Sequence, residues 1–160
     1  MKGVKVVRDD TAKISKILRT MTKEQVLIGV PMDENARDDG PFGNAQIGYI
    51  NENGSEAAHI PPAPHLVPGV EAVKDRCADI IGKGAAAALD GDEGALDIAY
   101  KKAGQVAVSS VKSKIVSQDG FQDLSEYTLE KRAEAGFKGT KRLIWTGQYL
   151  NSITFVKRKV

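Results

Sequence analysis

The side chains able to do chemistry in this sequence are few, and their spacing assembles no familiar reactive set. Cys77 is the single cysteine, so no internal disulfide can form, which suits a reducing compartment. It falls among Val70, Val73, Ile80, Ile81 and Ala88 on the apolar side of a helical stretch. There it reads as core filler rather than as a nucleophile. His59 and His65 flank Pro61, Pro62 and Pro64. Two imidazoles at that separation can hold a metal, but no further Cys, His or Glu recurs at ligand spacing, so they read as loop histidines. Asp33, Glu34, Asp38 and Asp39 suggest a calcium loop. The pattern fails, because Arg37 stands where an oxygen ligand is required and Asn44 where the bidentate Glu belongs. Residues 136–141 (GFKGTK) lack the spacing of a phosphate-binding loop. The motifs GxSxG, HExxH and CxxC do not occur. The sequence therefore predicts a protein that is not an enzyme, with no cofactor and no catalytic or metal-ligating residue. Trp145, the single tryptophan, has two readings: packing near the last strand, or an interface anchor.

Periodicity sets the elements that must carry these residues. Residues 4–7 form a short strand in this reading. Asp9, Asp10 and Thr11 then cap a helix in which Ile14, Ile17, Leu18 and Met21 recur at helical spacing. Gln25 to Val30 is a strand with Val26, Ile28 and Val30 on its core side, stopped by Pro31. Residues 32–44 are polar, with glycines and a proline, and make a loop long enough to be functional or disordered. A short element follows over 45–54. Residues 59–65 (HIPPAPH) are extended and stiff, near polyproline II, and suit an arm that reaches a neighbouring subunit. Residues 69–89 form a helix whose second half Gly82 and Gly84 each weaken by about 1 kcal/mol relative to Ala. A second helix over 94–117 carries the stripe Leu96, Ala99, Ala103, Ala107, Val111 and Ile115, completing a helical hairpin. A short helix over 125–135 has Ser125 as cap and Gly136 as stop. A single turn over 146–150 and an alternating strand over 152–159 end the chain. The fold class is α+β: a small antiparallel sheet from the N- and C-terminal strands packed on a helical hairpin. Residues 1–160 are read as one domain, with loop 32–44 and the proline-rich arm 55–68 as extensions.

Composition is consistent with this. At 41% hydrophobic and 28% charged residues the chain is neither disordered nor a membrane protein. Its longest apolar runs fall far short of the ~20 residues that span a bilayer. No apolar stretch follows Lys2, so no signal peptide is read. Surface scaling gives about 7,800 Å² exposed when folded, leaving enough buried for a self-supporting core. The net charge is +2, but residues 1–100 carry 11 basic and 16 acidic residues while residues 101–160 carry 12 and 5. Halves of opposite sign favour head-to-tail contacts between identical subunits unless folding mixes them. The basic residues form no dense block and accompany no nucleic-acid motif. Aromatics at 6% are too few for a stacking platform.

Three segments carry a resemblance. Residues 48–54 (GYINENG) followed by 60–70 (IPPAPHLVPGV) are similar to a family stretch that pairs a tyrosine with His-Glu-x-Gly and continues Ile-Pro-x-Arg-Pro-Phe-Leu-Arg-Pro. Residues 127–132 (YTLEKR) are like the family's Thr-x-x-x-[Arg/Lys]-[Arg/Lys] helix. Residues 143–154 (LIWTGQYLNSIT) are close to its ending, Thr-Gly-x-Leu-x-x-Ser-Ile. On these segments the chain resembles the tail-completion or neck proteins of long-tailed bacteriophages, the family of lambda minor tail protein Z and Mu-like virion-morphogenesis proteins. It departs where Asn51 replaces a common His, Ala63 and His65 replace Arg and Phe, and Arg142 replaces Pro.

The resemblance implies a virion structural protein, in the host cytoplasm during assembly and in the neck or tail of the finished particle. It implies a homo-oligomeric ring, six-fold or twelve-fold, between the head connector or adaptor and the tail terminator or tail tube, with no membrane. DNA would pass through the channel and be met nonspecifically. The contacts to neighbours are expected from loop 32–44 and the arm: Asp33, Glu34, Arg37, Asp38, Asp39, Phe42, His59, Ile60, Pro61, Pro62, Pro64, and with them Trp145. The alternatives are a tail terminator or head-closure protein of the same assembly, or a small nonspecific nucleic-acid-binding module using the basic C-terminal third.

Overall fold

The computed structural model describes residues 9–37 and 41–159. The strand expected over 4–7, together with Asp38 and Asp39, lies outside the described residues. Among these the chain is a mixed helix and strand fold, with seven α-helices and a two-stranded antiparallel sheet. In chain order these are α1 (Thr11–Lys23), β1 (Glu24–Gly29), a 3₁₀ turn (Met32–Glu34), α2 (Asn44–Asn53), α3 (Leu66–Glu71), α4 (Lys74–Asp90), α5 (Ala95–Ser117), α6 (Glu126–Glu134), α7 (Gln148–Ser152) and β2 (Thr154–Lys159).

Helix α5 is the axis, about 34 Å long at 1.5 Å per residue. All six stripe residues are buried, and Tyr100 and Gly104 join them. Helices α3 and α4 pack along one side of α5, and both strands pack on it too. The strands pair from Glu24 opposite Lys159 to Gly29 opposite Thr154. On one face of this sheet Val26 and Ile28 pack toward the core, while Leu27 and Val156 are exposed on the other. Helix α1 buries only Ile17, leaving Ile14, Leu18 and Met21 open despite their helical spacing.

Two glycines set how closely these layers approach. An added Cβ at Gly84 would lie 2.3 Å from the Ala99 Cβ, and one at Gly104 would lie 2.4 Å from the Phe155 ring. Gly84 thus costs helix propensity but lets α4 and α5 touch. Gly82 has no such neighbour.

Two readings need correction. The helix expected over 69–89 is two helices, α3 and α4, because Val73 leaves helical geometry and its N–H bonds the Val70 carbonyl rather than that of Gly69. The segment read as an extended arm over 55–68 lies against the body for part of its length. Ser55 and Ile60 form a β-bridge, the Ala63 N–H bonds the Asn51 carbonyl, and α3 begins already at Leu66. Its extended backbone alternates, so Ala63 and His65 are fully buried while Pro62 and Pro64 face outward.

Two apolar clusters form the core. Ile17, Ala85, Ala88, Leu96 and Tyr100 surround the first half of α5. Val111, Ile115, Tyr149 and Ile153 surround the second half.

Candidate functional site

Buried polar groups concentrate around the second cluster. The local chain path explains how they come together. Helix α2 ends at Gly54, whose φ of 77° and close approach to the Ile60 carbonyl and Pro62 suit only glycine. The turn returns the chain so that the Glu52 carboxylate meets the start of α3. It accepts N–H groups from His65 at 2.7 Å, Leu66 at 2.9 Å and Val67 at 2.9 Å. A carboxylate there satisfies donors that the helix start leaves open and favours its dipole.

His65 is fully buried in this bend. Its Nδ1 lies 2.8 Å from the Ala63 carbonyl and 3.1 Å from Glu52 Oε2, and its Nε2 contacts the Tyr149 hydroxyl. The rings meet edge to face, with centroids 5.5 Å apart. With two acceptors beside Nδ1, that nitrogen carries the proton and Nε2 accepts from Tyr149. Burial lowers the His65 pKa, against the opposing effects of the Ala63 carbonyl and Glu52. Burial and Glu52 raise that of Tyr149. The pair is therefore a neutral imidazole and a protonated phenol, fastening α7 to the proline segment. Helix α2 joins the same point, since a Cβ at Gly48 would lie 2.7 Å from the Tyr149 hydroxyl oxygen.

Beside this tie lies a cavity of about 560 Å³. Arg132 and Arg142 line it and are both nearly buried. Arg132 faces inward from α6, which Ser125 caps by accepting the Thr128 N–H. Its Nη1 donates to the carbonyls of Gly139 at 2.9 Å, Lys141 at 2.9 Å and Ile144 at 3.2 Å. Its guanidinium carbon lies 5.7 Å from the Phe137 ring centroid and 5.6 Å from that of Trp145. Arg142 donates from Nη2 to the Pro61 carbonyl at 2.8 Å. Its backbone is held by Gln118, which accepts the Arg142 N–H at 2.6 Å and donates to its carbonyl at 3.1 Å. Burial depresses the pKa of both guanidinium groups. Neither is paired with a carboxylate among the described residues. Arg132 Nε and Arg142 Nη1 have no acceptor among the described residues. Carbonyls solvate a cation but do not neutralise it, and a buried unpaired charge costs several kcal/mol.

The residues singled out in the sequence fall in three places. Arg37, His59, Ile60, Pro61 and Trp145 share the cavity lining. Arg37 reaches it because its Nη1 donates to Asn44 Oδ1 at 2.8 Å, while Asn44 in turn donates to the Glu34 carbonyl at 3.0 Å. Phe42 sits apart, in a shallow hollow with Tyr49 and Ile50. Asp33 and Glu34 form the 3₁₀ turn, and Pro62 and Pro64 face outward from the proline segment. His59 is exposed and His65 is not, so the two histidines sit in quite different surroundings. No group of three or more His, Cys, Asp or Glu able to hold a metal occurs among the described residues. Cys77 is partly buried, with its thiol 3.5 Å from the Ala103 carbonyl and its pKa raised by burial.

Sequence reading missed Glu52, Arg132, Arg142 and Tyr149 as the groups that assemble this region. The available signal was that each lies in or beside one of the three segments that carry the family resemblance. No helix among the described residues is long and apolar enough to cross a membrane. Comparison with known proteins finds no matching family, no matching curated protein and no matching solved structure.

Proposed function

We propose that this chain is a structural subunit of a long-tailed phage particle, a neck or tail-completion protein that works as a member of a ring. The observation that carries this reading is its surface. Among the described residues it leaves several large apolar side chains open to water. Met32 is 87% exposed, Tyr49 71% and Tyr127 69%. A ring subunit meets two neighbours, and a standard interface covers roughly 800 Å² of each partner. Open apolar side chains of this kind are what such interfaces would cover.

The three segments of the resemblance support the same reading. The first segment meets the third through His65 and Tyr149, and the second meets the third through Arg132 and the Ile144 carbonyl. Segments that lock one another together are the kind that a shared scaffold requires. In this reading loop 32–44 and the outward face of the proline segment supply the contacts to neighbouring subunits, and DNA in the channel is met through charge alone.

Cryo-electron microscopy of the particle encoded with this chain tests the proposal. Density for the chain as a closed ring between head connector and tail is the expected result. Particles that contain every other neck component but lack this chain would overturn it. The basic C-terminal strand would then direct attention to salt-dependent DNA binding.

A further inference from the structure

We propose that the cavity between Arg132 and Arg142 is a binding site for an oxyanion, a phosphate or a carboxylate group. Arg37, Arg132 and Arg142 line one cavity; Arg132 Nε and Arg142 Nη1 are buried without an acceptor, and neither Arg132 nor Arg142 has a carboxylate partner among the described residues. Among the described residues Asp123 is the one acidic residue in the lining; it is exposed and pairs with neither Arg132 nor Arg142. An arginine held only by carbonyls retains its charge, and its planar donors match the oxygens of carboxylate and phosphate. The hydroxyls of Ser125 and Thr128, 2.9 Å apart, lie in the same wall and add polar groups at the start of α6. Ile60, Leu143 and Trp145 supply an apolar wall for whatever carries the anion.

The shape narrows the source. A cavity admits a charged group at the end of its carrier, as in a phosphate monoester or an acidic side chain. A duplex DNA phosphate is flanked by its own chain on both sides, so it fits a groove rather than a cavity. Two sources remain: a free small anion, or an acidic side chain projected from another polypeptide. The site stands whether or not the chain belongs to a virion.

Calorimetric titration of the full chain in chloride buffer tests this, with inorganic phosphate in one arm and an N-acetylated tetraglutamate peptide in the other. Two variants accompany the wild type. Arg142→Gln removes one cation. Thr128→Glu places a carboxylate one helical turn before Arg132, the favoured spacing and order for an ion pair, at a half-buried position. Saturable binding to the wild type is expected, weakened roughly tenfold or more in both variants. Thr128→Glu is also expected to raise the melting temperature in the absence of any added anion, because it supplies the missing counter-charge internally. Binding of phosphate assigns a small-molecule source, and binding of the peptide alone assigns an acidic side chain. If neither binds, or if binding survives unchanged in Thr128→Glu, the site is overturned. That readout does not depend on whether Arg142→Gln folds.

Discussion

The two ends of α5 are built differently. Around its first half, Ile17, Ala85, Ala88, Leu96 and Tyr100 meet through small and apolar surfaces. Around its second half, Val111 and Ile115 cluster with Tyr149 and Ile153, and bonds through Tyr149 and Gln118 join this cluster to buried His65 and Arg142. The first end needs close contact and gains from area removed from water. The second end gathers segments from residues 52 to 153 through directional bonds. Each of those bonds is worth about 1 kcal/mol net when made, and costs more when half of it is removed. The apolar end is accordingly tuned by volume, and the polar end by completeness of pairing.

The largest expected effect lies at the apolar end. Gly84→Ala improves helix propensity by about 1 kcal/mol. It also forces a Cβ to within 2.3 Å of the Ala99 Cβ. Overpacking of two helix backbones outweighs propensity, so a net loss of about 2 kcal/mol is expected in urea unfolding. Gly82→Ala is the control: it meets nothing within 4 Å and should stabilise by up to about 1 kcal/mol. If the two variants behave alike, the close contact of α4 with α5 is not what Gly84 serves.

At the polar end, Tyr149→Phe keeps the ring and deletes the hydroxyl that meets His65 Nε2. A buried acceptor is left unpaired, and a loss of about 1.5 kcal/mol is expected by the same measurement. A neutral result would mean that the ring packing, and not the bond, carries the tie.

This division also explains what was legible in the sequence. The stripe on α5 could be read because burial there follows a 3.6-residue period, and all six of its residues are buried. Ser125 and Gly136 could be read as helix punctuation because cap chemistry is local. The polar end could not be read in this way. Its partners are far apart, as with His65 and Tyr149 or Arg142 and Pro61, and no period marks a buried arginine. Gly84 was read as a helix weakener for the same reason, since its use depends on a helix that follows later in the chain. The proline segment shows both limits: its extended backbone follows from its prolines, but its burial follows from Asn51 and Tyr149, which the prolines do not predict.

A pH series sharpens the comparison further. The folded-state pKa of His65 lies below the ordinary value of 6.5, chiefly because of burial. Above that value both folded and unfolded chains hold a neutral imidazole. As pH falls below it the unfolded chain takes up the proton first, so stability falls until the folded pKa is passed. The slope contributed by one proton is at most about 1.4 kcal/mol per pH unit. Urea unfolding between about pH 7.5 and 5 should show this slope in wild type and in His59→Gln, and lose it in His65→Gln. An unchanged slope in His65→Gln would place the titration elsewhere.

The smallest effect is expected at the surface of the apolar end. Asp97, in the first turn of α5, meets Lys101 at 2.8 Å and Lys157 of β2 at 2.6 Å. Hydrogen bonds from Lys101 and then Lys157 hold its carboxyl at about 2, below the ordinary 3.8. A depressed carboxylate contributes stability above its unfolded value, and that contribution is lost as pH falls through about 2. All three side chains are open to water, so screening keeps the contribution small. The melting temperature of Asp97→Asn should therefore lie slightly below wild type near neutral pH. The gap should close as pH approaches the folded pKa, and should shrink in about 1 M salt. A gap that persists in acid and in salt would mean that Asp97 acts through packing. The contrast between a volume-tuned end and a pairing-tuned end would then fail at this residue.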